Sequence, residues 1–311
     1  MVTATNPVQF GVFLSPQSID IGRLREQVQT AETAGMDYVS IQDHPYVPVF
    51  LDTFALIGTL IGETERLRFM PNVANLPLRP PAMLAKTSAT LDLLSGGRFE
   101  LGLGGGYNWP GIVGMGGPHL TPGQVVTAVD EAISVLRALW TPGHKINLQG
   151  KQYAVEAETG PAPAHDIGIW LGAMGPRMLD LLGRRANAWI APMGTGYETK
   201  PAAQNRIDTA ATAAGRRPTE IRRVIQLVGS VTDRAITTER PRTGPGNQPI
   251  RTTPEYWARI IAEFVHQERF DTVNFILEHD SIEQITRFAT EVVPAARAAI
   301  AQGAGDHGTR H

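Results

Sequence analysis

Val8–Gln42 reads VQFGVFLSPQSIDIGRLREQVQTAETAGMDYVSIQ, and this stretch decides the fold. It opens with a continuous apolar run, Val8–Leu14, and closes with a second, Tyr38–Gln42. Between them, Ile21–Ala34 repeats Leu24, Val28 and Ala31 at helical spacing and stops at Gly35, a usual C-terminal signal. Continuous rather than alternating apolar runs are what strands need when both faces of a parallel sheet are covered. The stretch is therefore a strand–helix–strand unit with parallel strands.

The same unit recurs along the chain. Further strand-like runs are Leu67–Val73, Phe99–Leu103, Ile167–Leu171, Ala188–Ala191, Arg223–Val228 and Thr272–Leu277. The helical windows after the first are Thr53–Glu63, Pro81–Leu94, Pro122–Leu139, Pro176–Arg185, Ala202–Ala214, Pro254–Gln267 and Ile282–Ile300. Several start with Pro in the first turn, where its missing N–H costs nothing. Eight strands each followed by a helix predict an α/β fold, a (β/α)8 TIM barrel; a doubly wound open sheet is the rival. The interval from Phe99 to Ile167 is 68 residues, so an insertion lies between the fourth and fifth strands. Within it, His144–Val155 predicts a hairpin turning at Gln149-Gly150. The connection Thr232–Thr253, after the seventh strand, has almost no large apolar residue and predicts a long, mobile loop. No linker divides the chain, so a single barrel domain over residues 1–302 and a disordered tail over 303–311 are expected.

Composition sets limits. The chain has 311 residues, 42% apolar and 19% charged, with no cysteine. That length buries roughly three quarters of the unfolded surface, so a core needs no staples. Cysteine catalysis, disulfides and thiolate metal sites are excluded. The net charge of −2 provides no positive field for nucleic acid. The first residues show no signal-peptide pattern, and no apolar window approaches the ~20 residues of a membrane span. A soluble, cytoplasmic protein is expected. The histidines show neither a His-x-His after the first strand nor an HExxH helix, so no metal is expected.

In barrels of this type the active site lies at the C-terminal strand ends. The second strand ends Gln42-Asp43-His44-Pro45: an imidazole beside a carboxylate can do acid/base work, though the same residues also make an ordinary capped turn. The third ends Asn72-Val73-Ala74-Asn75, where amides can bind a ligand or simply form a turn. The fourth runs into Gly104-Gly105-Gly106, which lets a flat ligand approach the backbone or makes a loose loop. A dinucleotide fingerprint needs a helix at once; Trp109-Pro110-Gly111 and more glycines follow instead, which excludes a Rossmann unit. The fifth ends Gly172-Ala173-Met174-Gly175-Pro176-Arg177-Met178, a strand-to-helix turn with free N–H groups that suits an anion.

Taken in series, these segments resemble the luciferase-like flavin-dependent oxidoreductases, the group of bacterial luciferase and coenzyme F-420-dependent reductases. The resemblance rests on NVANLPLRPPAMLAKT (72–87) and LDLLSGGRFELGLGGG (91–106), of which Ser95-Gly96-Gly97-Arg98 with its flanks is the most specific part. Gly116-Gly117-Pro118, Thr121-Pro122-Gly123, Ile169–Ala173, Gly175–Met178 and Val292-Val293-Pro294 follow in order. It covers about Phe10 to Arg297.

The resemblance implies a flavin or deazaflavin at the barrel mouth. It assigns His44 and Asp43 as catalytic. Cofactor binding falls to Asn72, Val73, Ala74, Gly104, Gly105, Gly106 and to the turn Gly172, Ala173, Met174, Gly175, Pro176, Arg177, Met178, whose helix start takes the phosphate. It also implies a non-proline cis peptide at Asn72–Val73 or Val73–Ala74. The usual Arg-His-Pro reads Arg79-Pro80-Pro81, and Ala-Asp-Gly-Trp reads Ala186-Asn187-Ala188-Trp189.

Within that resemblance, the chain length and the 116–123 block look more like the deazaflavin branch. Coenzyme F-420 is thus expected, with hydride transfer to a small organic substrate. The alternatives are an FMN-dependent monooxygenase fed by a separate reductase, and a non-catalytic flavin-binding barrel. A homodimer is expected. Arg234, Arg240, Arg242 and Arg251 in the long loop can meet an anionic substrate or the acidic cofactor tail, or form a solvated surface.

Overall fold

The computed structural model describes residues 7–194, 199–237 and 248–306. Eight parallel strands form its centre: β1 (Gln9–Leu14), β2 (Tyr38–Ile41), β3 (Arg68–Pro71), β4 (Leu101–Gly104), β5 (Ile169–Gly172), β6 (Ala188–Ile190), β7 (Arg222–Val231) and β8 (Thr272–Leu277). The helices after them are α1 (Ile21–Thr33), α2 (Thr53–Gly62), α3 (Pro81–Ser95), α4 (Pro122–Trp140), α5 (Pro176–Arg185), α6 (Lys200–Ala213), α7 (Pro254–Glu268) and α8. The last consists of Ile282–Arg287 and Val293–Asp306 joined by a π-helical turn, Phe288–Val292; Pro294, which has no N–H to give, lies just past that turn.

The sheet closes on itself. β3 pairs with β2 at one edge, while Ala74–Asn75, immediately downstream of β3, pairs with β4 at the other: Ala74 opposite Leu103, Asn75 opposite Gly104. Phe69 of β3 also bridges to Phe99, ahead of β4. One broken strand thus serves both edges, and the (β/α)8 barrel expected from the sequence is the architecture found. Inside it pack Tyr38, Met70, Trp170, Ala188, Ile190 and Val224. The opposite faces of the strands, with Val12, Val39, Leu101, Leu171 and Phe275, join the helices in the larger core. Both strand faces are buried, which is why the runs are continuous.

The insertion between β4 and β5 holds a six-residue helix (Trp109–Gly114), α4 and a hairpin of Lys145–Gln149 with Ala154–Glu158. The short helix begins soon after Gly106, contrary to the expectation of plain loop there, but the closed barrel leaves no Rossmann unit. The hairpin turns at Gly150–Tyr153, a little later than expected. Glu131 of α4 explains the shift: its carboxylate accepts from the N–H groups of Lys151, Gln152 and Tyr153 at 2.7–3.0 Å. A two-stranded hairpin alone is marginal in water, so this clamp is its anchor.

The connection after β7 is not all loop. Ile250–Thr252 pairs with β7, and Arg251 forms an ion pair with Glu278. Arg240 and Arg242 lie outside the described residues. α8 continues to Asp306, past the expected start of the tail at Gly303, and 307–311 lie outside the described residues. Among the described residues no helix is long and apolar enough to cross a membrane.

At the N-terminal end of the barrel, His165 Nδ1 lies 2.7 Å from the fully buried Asp92, and Nε2 lies 3.5 Å from Glu100. Glu100 first, and Asp92 with it, outweigh partial burial and raise the imidazole from 6.5 to about 8. A raised folded-state value adds stability that is complete below about pH 6.5 and disappears as pH rises through about 8. The difference in melting temperature between the parent and His165→Gln should therefore be largest near pH 6 and shrink toward pH 9. A pH-independent difference in thermal scans would place the effect in packing instead.

Candidate active site

The backbone beyond β2 is held by two bonds: the Gln42 N–H donates to the Leu14 carbonyl at 3.2 Å, and Thr53 Oγ1 donates to the Gln42 carbonyl at 2.6 Å. From this anchored turn the next two side chains go to different environments.

Asp43 is 1% exposed. Its carboxylate accepts two bonds from the Arg79 guanidinium, both 2.7 Å, and one from the Asn75 N–H at 2.9 Å. Arg79 also donates to Asp52 at 2.7 Å and lies 4.4 Å over the Phe54 ring, while Asp52 caps α2. Asp43 therefore fastens the end of β2 to the segment after β3 and to the start of α2. Asp43 was expected to be catalytic beside His44; among the described residues no hydrogen bond joins the two side chains.

The side chain that touches His44 is Gln42. Its Nε2 lies 2.6 Å from His44 Nδ1, and its Oε1 accepts from Ser15 Oγ at 3.2 Å. The other ring nitrogen, Nε2, has no hydrogen-bond partner among the described residues. The imidazole stacks on Tyr46, with centroids 5.4 Å apart and planes 18° apart. Partial burial pushes the His44 pKa below its ordinary 6.5, against an upward pull from the Asp43 charge. At neutral pH the ring is therefore uncharged, with one donor and one acceptor.

Next to this turn is the seam where β3 breaks. The Asn72–Val73 peptide is cis, one of the two positions expected. The chain can cross β4 there because two side chains are missing. A Cβ on Gly102 would lie 2.0 Å from the Pro71 carbonyl oxygen, and one on Gly104 would lie 2.5 Å from Val73 Cγ2. Val73 is half-buried at the inner edge of the seam, packed against the interior cluster. Amides line the barrel at this level: Asn72 donates to Gln226 Oε1 at 2.9 Å, Gln226 donates to the Ala191 carbonyl at 3.0 Å, and Ser40 donates to Asn274 Oδ1 at 3.1 Å. Asn274 Nδ2 and Asn75 Oδ1 are buried and have no hydrogen-bond partner among the described residues. Along β7, Val224 is buried but Gln226 and Val228 are partly exposed, so the barrel opens above this layer.

The glycines after β4 were expected to cradle a flat ligand, but on the sides where they lack a Cβ they face protein. Gly104 meets Val73, Gly105 meets Val125 of α4, and Gly106, at φ +92°, meets Pro77 and Ile112. What they offer a ligand is backbone N–H and C=O. The turn after β5 is more open: Met174, Pro176 and Arg177 are exposed, while Gly172, Gly175 and Met178 are partly so and Ala173 is buried. α5 begins at Pro176 behind Gly175, with no side chain capping it. Arg177 Nη1 lies 3.7 Å from where a Cβ on Gly123 would be, and Met178 Cε is 3.8 Å from the same point on Gly105. The starts of α4 and α5 and the β4 loop therefore meet at one place on the mouth. Among the described residues no group of three or more His, Asp or Glu side chains could hold a metal.

Sequence reasoning missed Gln42, Ser15 and Gln226. A glutamine inside the apolar run Arg223–Val228 was a readable signal; Gln42 was taken only as the last residue of its strand.

Comparison with known proteins agrees with this architecture. The description "Luciferase-like monooxygenase" matches residues 6–261. The chain belongs to that family. An F420-dependent glucose-6-phosphate dehydrogenase of Nakamurella multipartita is 27% identical over 199 residues, 60% of this chain and 57% of that protein. The chain matches between 47% and 62% of the length of such curated relatives. An F420-dependent secondary alcohol dehydrogenase, solved with an F420–acetone adduct, superposes with a TM-score of 0.78 at 18% identity, covering 94% of this chain and all of that one. A riboflavin lyase, solved with modified FMN and riboflavin, gives 0.77 at 15%, covering 94% and 92%. At those identities the structural likeness speaks for the fold alone.

Arg79→Met would leave the Asp43 carboxylate buried beside a single N–H donor. Removing one member of a buried ion pair costs about 3–5 kcal/mol, and Arg79→Met should fall near that range in urea unfolding. A loss below about 1 kcal/mol would mean that water reaches Asp43 in Arg79's place.

Proposed function

We propose that the chain is a coenzyme F-420-dependent oxidoreductase that moves a hydride between this deazaflavin and a small organic substrate, with His44 as the acid/base group. The observation that carries the reading is the uncharged His44, with its Nε2 unspent, at a strand end next to the Val73 seam. The residues fit such a cofactor. Amides with unspent hydrogen-bonding capacity around an apolar Val73 suit a heteroaromatic ring with donors and acceptors on one edge. An uncapped helix start beside Arg177 suits a phosphate. When bound, the cofactor supplies the carbon that gives or takes the hydride.

The remaining work is done by the chain. Val73 would support the ring, and the N–H groups at the start of α5 with Arg177 would hold the phosphate. The Asp43–Arg79 clamp fixes the turn that carries His44. His44 Nε2 gives a proton to, or takes one from, the substrate oxygen as the hydride moves. Tyr46, packed between His44 and the short helix after β4, limits access of water. Two names support F-420: those of the Nakamurella relative and of the alcohol dehydrogenase. The family's own description, together with the FMN-bound riboflavin lyase, favours a second reading, an FMN-dependent monooxygenase supplied by a separate reductase.

Titration with F-420 and with FMN separates the two readings. Tighter binding of F-420, followed by substrate-dependent bleaching or recovery of its absorbance, is expected; preference for FMN with oxygen consumption would favour the monooxygenase. Tight binding without turnover across a panel of alcohols and ketones would support a non-catalytic barrel. His44→Ala should leave cofactor affinity within a few-fold and lower turnover by roughly 10²–10⁴. Gly175→Asp should weaken cofactor binding, because a carboxylate at the helix start competes with the phosphate. Unchanged affinity in that variant would put the phosphate elsewhere.

A further inference from the structure

Two side chains adjoining His44 have no part in the reading so far: Gln42 and Ser15. They form a row, Ser15 Oγ to Gln42 Oε1 at 3.2 Å and Gln42 Nε2 to His44 Nδ1 at 2.6 Å. A primary amide nitrogen has two hydrogens and no available lone pair, so it donates and never accepts. Nδ1 facing it must therefore be the acceptor of the imidazole. A neutral ring has one proton, and that proton is then on Nε2. Ser15 gives its hydroxyl hydrogen to Oε1, while the amide nitrogen faces the histidine. The groups around the ring agree. Tyr46 covers one face without a hydrogen bond to it, and the nearest carboxylate, Asp43, is occupied by Arg79 and the Asn75 N–H.

We propose that Gln42, oriented by Ser15, is a positioning residue that holds His44 in the Nε2–H tautomer, so that His44 presents a hydrogen-bond donor to the substrate. This rests on the acid/base role proposed for His44 and specifies it. In the reducing direction Nε2–H would donate to the substrate oxygen and supply its proton, while the carbonyl carbon would take its hydride from the reduced cofactor. Because Nδ1 is bare in this tautomer, loss of the Nε2 proton alone would leave an imidazolate, so a proton from solvent has to reach the ring as its own proton leaves. Exchanging the amide for a carboxylate would reverse the row. A carboxylate accepts from Nδ1–H, leaves Nε2 bare in the neutral ring and favours the doubly protonated form.

The test reads the tautomer directly in the protein without cofactor, so it does not depend on which cofactor or substrate is correct. In ¹⁵N-labelled protein, long-range ¹H–¹⁵N spectra separate protonated from bare ring nitrogens, and His44→Gln assigns the signal. The parent should show His44 as the Nε2–H form across neutral pH. Gln42→Met, which keeps the size and removes the donor, should give a mixture, and Ser15→Ala a smaller change in the same direction. Gln42→Glu should favour Nδ1–H and raise the titration midpoint of His44 by at least one pH unit. In turnover assays Gln42→Glu should lower kcat at least 10-fold at neutral pH with cofactor affinity within a few-fold, and the pH optimum should move with the His44 midpoint. A parent His44 found as Nδ1–H, or a Gln42→Met variant with its tautomer unchanged and its melting temperature near the parent's, would overturn the assignment. Loss of turnover in His44→Ala together with an unchanged tautomer in Gln42→Met would sink this inference alone. A correct tautomer with full turnover in His44→Ala would sink the acid/base role.

Discussion

The barrel closes, and the candidate site forms, at a seam where the backbone of the third strand presses against the fourth closely enough that two side chains have to be absent. Gly102 has the Pro71 carbonyl where its Cβ would be, and Gly104 has Val73 there. Positions two apart on a strand point to the same side, so these alternate glycines clear one face of β4. β3 can then leave its ladder with β2 after Pro71 and rejoin the sheet through Ala74–Asn75 on β4. The intervening residues, Asn72 and Val73, are displaced to the inside of the mouth. Everything attributed to the site is arranged around that displacement: the amide row below it, the turn carrying His44 to one side, and the start of α5 across from it.

The turn after β2 shows how partners decide what burial does to neighbouring side chains. Asp43 and His44 are both withdrawn from water. Asp43 receives a two-pronged guanidinium and a backbone N–H, so the desolvation of its carboxylate is offset by strong directed bonds. His44 receives an amide donor, which favours a bare nitrogen over a charged ring, and the same withdrawal from water drives it toward neutrality. The carboxylate's field still reaches the imidazole and opposes this. The outcome is division of labour within two residues: one side chain ties three segments together, and the next is left uncharged with a nitrogen to spare.

Much of this was legible in the sequence, for physical reasons. All eight barrel strands were readable because burial on two faces forces continuous apolar runs, and helix starts were readable because Pro or a capping side chain marks them. The insertion was visible as a gap in an otherwise regular spacing. What could not be read depended on distances across the barrel. Gly104–Gly106 invite a ligand in one dimension, yet in three dimensions Val73, Val125, Pro77 and Ile112 lie against their empty sides. Arg79 looked like the remnant of a motif that had lost its histidine, because nothing local says that it reaches Asp43. Gln42 looked like the end of a strand, since its chemistry depends on Ser15, 27 residues away. The hairpin turn was misplaced by a few residues because Glu131, on a separate helix, determines where three N–H groups gather.

The wall of the mouth is coupled to the acid/base residue through Tyr46. Its ring stacks on His44, and its other neighbour is the short helix after β4: a Cβ on Gly111 would lie 2.7 Å from Tyr46 Cγ. Asn108 caps that helix at 3.3 Å, and Trp109 meets His119 edge-on at 5.3 Å, so the segment from 107 to 119 is folded against itself and leans on the tyrosine. Tyr107, Val113 and Met115 on the same segment are exposed and apolar. A ligand that reorders this segment acts on a helix that abuts Tyr46, whose ring is stacked on the imidazole. Loops that choose a substrate are commonly independent of the groups that act on it. Here a stacked ring joins them, so the fit of a substrate against the β4 loop bears directly on the orientation of His44.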